Sequence, residues 1–86
     1  MDPAHLPALT AVAAVARHGS FTRAAGEAGV SPSALSQTIR ALETQLNVRL
    51  FNRTTRRVAL TEAGAQFLER VRPALAALAA AFDSLD

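Results

Sequence analysis

Twenty of the 86 residues are Ala, and only four, all Phe, are aromatic. Ala is the strongest helix former and a poor strand former, so this composition favours thin, closely packed helices over a sheet. The chain is short for a single domain but half its residues are hydrophobic, enough for one core. It has no Cys, hence no disulfide framework and no Cys-based zinc site. There is no run of 18 apolar residues and no basic N-terminal segment leading into an apolar one. The sequence therefore indicates neither a membrane span nor a signal peptide, and a small, soluble, intracellular domain is expected.

Residues 5–18 read as a first helix, with Leu6, Leu9, Ala13 and Ala16 at helical spacing, ending at Gly19. Ser20 caps a short second helix in which Phe21, Ala24, Ala25 and Ala28 recur, and Gly29 closes it. Ser31 then supplies an N-cap oxygen, and Pro32 stands at N1, where its missing N–H costs nothing. Leu35, Ile39, Leu42 and Leu46 form one apolar stripe of the third helix. The opposite face holds Ser33, Gln37, Arg40 and Thr44, with Ser36 at its edge. Asn47 suits a left-handed terminus.

The period then changes. Val48–Arg53 and Arg57–Thr61 alternate in part, and Thr54-Thr55-Arg56 suits a turn, which predicts a two-stranded hairpin with a basic tip. Thr61 caps a final helix with Glu62 in its first turn. Along that helix Leu68, Val71, Leu75, Leu78, Phe82 and Leu85 are separated alternately by three and four residues, the seam of a coiled coil. A globular core produces the same spacing over so short a span, so pairing with a second copy and packing within the chain both remain open. Pro73 falls away from the seam and is expected to kink the helix.

Catalysis has little to stand on. His5 and His18 lie thirteen residues apart with no ligand set around them, and there is no phosphate loop or nucleophile elbow. No metal or other cofactor is expected, and the chain reads as a non-enzyme. Charge is more telling. Between residues 40 and 60, five Arg stand against the single acid Glu43, a local +4, while the flanks are neutral or acidic. Helix, turn, capped helix and basic hairpin together make a device for duplex DNA. A helix fits the major groove, and its reading face needs hydrogen-bonding side chains such as Ser33, Ser36 and Gln37. Singly, each of these is also what a solvated face contains.

The segments Ser20-Phe21-Thr22-Arg23-Ala24-Ala25 and VSPSALSQTIRALETQLNVRLFNRTTRRVALTEAG (Val30 to Gly64) resemble the N-terminal DNA-binding region of LysR-type transcriptional regulators. The likeness runs from about Leu6 into the last helix. It implies a mainly α, winged helix-turn-helix of three helices and a two-stranded β-hairpin wing over residues 1–60. A linker helix follows over 61–86 and pairs antiparallel with its twin in a homodimer. The recognition helix is then 31–46 and the wing 49–60. The implied partner is double-stranded promoter DNA with interrupted dyad symmetry, in bacterial cytoplasm. Small-molecule effectors would act only through a further domain that the 86 residues do not contain.

Carried over residue by residue, the resemblance assigns base contacts to Pro32, Ser33, Ser36, Gln37 and Arg56. Backbone contacts fall to Thr22, Arg23, Ser31, Arg40, Arg53, Thr54 and Arg57, and the dimer seam to Leu68, Val71, Leu75, Leu78, Phe82 and Leu85. Pro32 and Gln37 stand where the family commonly has Gln and Arg, so base preference does not transfer from a relative. Asn47 replaces the usual Gly. Two other classes of function fit the same features: a winged-helix protein-interaction module, and a DNA binder without sequence preference.

Overall fold

The computed structural model describes residues 5–54 and 57–85, in the order α1 (His5–His18), α2 (Phe21–Ala28), α3 (Pro32–Leu46), β1 (Phe51–Arg53), β2 (Val58–Leu60) and α4 (Glu62–Asp83). Each helix after the first begins on the side-chain cap its sequence announces. Ser20 Oγ accepts from the Arg23 N–H at 3.2 Å, and Ser31 Oγ accepts from Ala34 at 3.1 Å. Thr61 Oγ1 accepts from Gly64 at 2.9 Å. Helices α2 and α3 end alike, with a left-handed residue (Gly29 at φ 72°, Asn47 at φ 55°). The following amide then reaches back to a carbonyl five residues earlier, Val30 to Ala25 and Val48 to Glu43, each at 3.1 Å.

The core lies among α1, α2, α3 and the base of the hairpin, and α1 runs through its middle, touching α2, α3, α4 and β2. Helical spacing puts the buried face of α1 on Leu6, Leu9, Ala13 and Ala16. The structure sinks the adjacent face deepest: Ala8, Ala11, Val12, Ala14 and Val15 are buried, while Leu9, Ala13 and Ala16 are partly covered. A helix covered from two sides is apolar nearly all round, so periodicity does not single out one stripe. On α3, Leu35, Ile39 and Leu42 are buried, but Leu46 is 40% exposed because the last turn passes beyond the core. Ala28, expected on the inner face of α2, is exposed for the same reason.

The strands are shorter than expected, three residues each, paired antiparallel with Phe51 opposite Leu60, Asn52 opposite Ala59 and Arg53 opposite Val58. Leu50 belongs instead to the junction. Its carbonyl accepts from the Thr61 amide at 2.9 Å, while Thr61 Oγ1 donates to the Arg49 carbonyl at 2.6 Å. The hydroxyl that caps α4 thus also closes the base of the hairpin.

Helix α4 runs unbroken through Pro73. Its first two turns belong to the core, so the division expected between residues 60 and 61 does not coincide with an edge of the packing. Leu68, expected on the seam toward a second copy, is 1% exposed and packed inside its own chain. Val71 and Leu75 are half-buried, and Leu78, Phe82 and Leu85 are progressively exposed at 43%, 76% and 85%. No helix among the described residues is long and apolar enough to cross a membrane.

Gly64 is where α4 meets the hairpin base. A Cβ built there would stand 2.1 Å from the Leu50 carbonyl oxygen, a backbone atom that cannot step aside. Gly26, inside α2, has nothing within 4 Å of the same position. Replacing Gly by Ala in a helix ordinarily gains about 1 kcal/mol. Gly26→Ala should therefore raise stability by up to about 1 kcal/mol, whereas Gly64→Ala should lower it by at least about 2 kcal/mol through overpacking. Urea midpoints at constant slope compare the two directly.

Candidate nucleic-acid interface

The face of α3 opposite Leu35, Ile39 and Leu42 is a ladder of polar side chains. Ser33, Gln37, Arg40 and Thr44 are exposed on it, together with the cap residues Ser31 and Pro32, and Ser36 is half-buried at its edge. The rigid α2 start presents Thr22 and Arg23, both exposed. Because both helices are fixed at each end by caps, these side chains project from a preset frame.

The hairpin is held against this face by a buried cluster. Side chains two apart on a strand share a face, so Arg53 lies on the same side as Phe51, which is 1% exposed. The Arg53 side chain is accordingly only 18% exposed. Its Nη1 donates to Ser36 Oγ at 2.5 Å, its guanidinium carbon stands 4.4 Å from the centre of the Phe21 ring, and Nη2 approaches Glu43 Oε1 at 3.8 Å. Phe21 in turn meets Phe51 edge-to-face, with ring centres 6.1 Å apart. Burial, and after it the charge of Arg40, pulls the Arg53 pKa below the usual guanidinium value, with Glu43 opposing. An Arg never loses its proton in this range, so the cluster holds a fixed positive charge.

Glu43 is the residue that composition alone hid. From α3, its Oε2 accepts from the backbone amides of Leu50 at 2.7 Å and Phe51 at 3.3 Å, and its side chain is 13% exposed. One carboxylate thereby fixes the entry of β1 and faces the cation that β1 carries. Its signal in the sequence was its solitude, one acid among five Arg.

Of the expected contact residues, Pro32, Ser33 and Gln37 are brought together on one exposed surface with Ser31 and Arg40, and Thr22 and Arg23 are exposed on α2. Thr54 and Arg57 are exposed at the far end of the hairpin. The Thr54 amide donates to the Arg57 carbonyl at 2.9 Å, and the Arg57 amide donates to Thr54 Oγ1 at 3.0 Å. Arg56 lies outside the described residues. Arg53, expected to meet phosphate, is instead engaged within the protein by Ser36, Phe21 and Glu43.

Truncating Glu43 removes an acceptor from two backbone amides and the counter-charge from Arg53. Glu43→Ala should cost about 2–3 kcal/mol, as for hydrogen bonds to a charged group, and Glu43→Gln less. Amide exchange at Leu50 and Phe51 should accelerate in Glu43→Ala before global unfolding. Unchanged protection there would show that the carboxylate does not hold the strand.

The family model described as "Bacterial regulatory helix-turn-helix protein, lysR family" matches residues 6–65. An HTH-type transcriptional regulator of Escherichia coli strain K12, YcaN, is 59% identical over 61 residues, which is 71% of this chain and 20% of that protein. The chain thus spans about a fifth of the length of the curated relatives it resembles first. Among solved structures, the CbnR DNA-binding domain in complex with DNA superposes with a TM-score of 0.82 at 35% identity, covering 91% of this chain and 90% of that one. The BenM DNA-binding domain bound to benA site 1 DNA gives 0.86 at 28% identity, covering 99% and 92%.

Proposed function

The chain belongs to the LysR family of bacterial regulatory helix-turn-helix proteins, and on that ground we propose that it binds double-stranded DNA sequence-specifically, with α3 in the major groove. The observation that carries this reading is the division of α3 into two faces. Leu35, Ile39 and Leu42 anchor one in the core, while Ser33, Gln37 and Arg40 stand out on the other. That is how a helix reads base edges without loosening its own packing. Several solved relatives match this chain over nine-tenths of its length, and two of them are DNA-binding domains bound to DNA.

Ser33, Ser36 and Gln37 read bases, Pro32 shapes the start of the reading helix, and Arg40 reaches phosphate from its later turn. Ser31, Thr22 and Arg23 approach the backbone, where helix N-termini also offer amides to phosphate oxygens. The hairpin carries Thr54 and Arg57 to the flanking backbone or minor groove, and Arg56, outside the described residues, is proposed to contact a base. Residues 1–60, with the first turns of α4 packed on them, serve recognition, and the rest of α4 serves pairing. The pairing seam starts at Val71, since Leu68 is taken up by the core, and runs through Leu75, Leu78, Phe82 and Leu85. Such a homodimer suits a promoter with interrupted dyad symmetry. The chain acts in the bacterial cytoplasm and catalyses nothing.

Selection of bound duplexes from a random pool at near-physiological salt tests the reading. An enriched motif is expected. Gln37→Ala should relax preference at one position of it by about 1–3 kcal/mol, leaving the others intact. Equal losses on selected and scrambled duplexes would contradict base reading by Gln37, and failure to retain DNA would favour a protein-interaction module. Phe82→Glu, at a site too exposed to disturb the monomer, should shift the chain toward monomer in sedimentation. An unchanged mass would remove the seam.

A further inference from the structure

Ser36 differs from the two threonines of α3 in how its hydroxyl is used. Thr38 and Thr44 donate to carbonyls one turn back, Ala34 at 3.1 Å and Arg40 at 2.9 Å, which is the usual fate of a hydroxyl inside a helix. Ser36 Oγ instead accepts from the Arg53 guanidinium at 2.5 Å, and among the described residues its O–H donates to no protein acceptor. A serine oxygen has one hydrogen and two acceptor lone pairs. With a cation donating into one of them, the hydrogen turns away from the guanidinium and toward the open side of α3, where Ser33 and Gln37 are exposed. Accepting from a cation also strengthens the hydroxyl as a donor.

Resting on the reading of α3 as the groove-binding helix, we infer that Arg53 is a specificity-determining positioning residue, which touches no base but holds Ser36 as a hydrogen-bond donor toward the major groove. A free serine is indifferent, since it donates or accepts as its partner requires. Ser36 keeps one lone pair beside the one Arg53 fills, but a group donating into it would bring its own positive hydrogen against the guanidinium, so donation is favoured over acceptance. In the major groove G offers N7 and O6, A offers N7 beside its N6 amino group and T offers O4, so each presents an acceptor, whereas C offers only its N4 amino group, a donor. Ser36 in this setting discriminates against cytosine at the one base it faces. The Arg53 cluster is built for such constancy: Phe21 lies beneath the guanidinium, Glu43 stands beside it, and the strand pairing of Arg53 with Val58 fixes the backbone that carries it.

The test repeats the duplex selection with the full 86-residue chain and with Ser36→Ala, Arg53→Met and Arg53→Lys, each checked for helix content by circular dichroism. Methionine keeps an unbranched chain whose sulfur can pack against the Phe21 ring but cannot donate; lysine restores a charged donor. The unmodified chain should deplete cytosine at one motif position by roughly two- to tenfold, the span of a single net hydrogen bond. Ser36→Ala and Arg53→Met should both flatten that position and no other, and Arg53→Lys should retain the depletion. An Arg53→Met chain that binds every duplex more weakly with its motif unchanged would overturn the inference and leave Arg53 a brace or a phosphate ligand. If Arg53→Met does not fold, Ser36→Ala decides, because cytosine depletion that survives loss of the hydroxyl overturns the inference equally. Failure of the underlying DNA reading shows separately, as the absence of any motif with the unmodified chain.

Discussion

A single carboxylate, that of Glu43, ties the two halves of the recognition surface to each other. It sits on α3, accepts from the first amides of the hairpin and faces the cation that the hairpin turns inward. Two three-residue strands are marginal in isolation. Here they are defined at their base by Glu43, by the Thr61 hydroxyl and amide, and by the close approach of Gly64 to Leu50. Helix and hairpin therefore present their polar groups as one body, and little ordering entropy is left to be lost on meeting a duplex.

The same arrangement makes sense of the charge pattern. Five Arg in 21 residues would repel one another if all faced the same way. Arg53 is turned into the protein against Phe21 and Glu43, while Arg40, Arg49 and Arg57 are exposed. The cost of burying a cation is offset in part by a ring face, a hydroxyl and a nearby carboxylate, while Nη2 has no hydrogen-bond partner among the described residues. The outward Arg remain for the phosphate field, which supplies affinity but no sequence information. On the proposed reading, discrimination falls to the short side chains of α3, of which Ser36 is held from behind by Arg53.

Much of this was legible in the residues. Ser20, Ser31 and Thr61 mark the helix starts, and Asn47 marks a left-handed end that the structure reproduces. The polar face of α3 follows from its 100° periodicity alone. What escaped was long-range. Alternation from Phe51 to Arg53 already placed that Arg inward, but the charge pattern drew attention to its sign rather than to its face. Glu43 entered only as one negative charge against five positive. Gly64 looked like an ordinary helical residue, because its partner, the Leu50 carbonyl, comes close only once α4 docks on the hairpin base. Leu68 fitted the heptad as well as it fits the core, and periodicity does not tell a helix which neighbour will cover it.

The central claim is that α3 reads bases from the major groove while the hairpin flanks it. Guanine N7 lies in that groove, so methylation interference with dimethyl sulfate on a selected duplex tests the claim most directly. Two clusters of interfering guanines are expected, one per half-site, with centres separated by a multiple of about one helical turn, roughly 10 base pairs. Binding that tolerates N7 methylation at every guanine of the site would contradict it, and would leave a protein that holds DNA by its backbone alone.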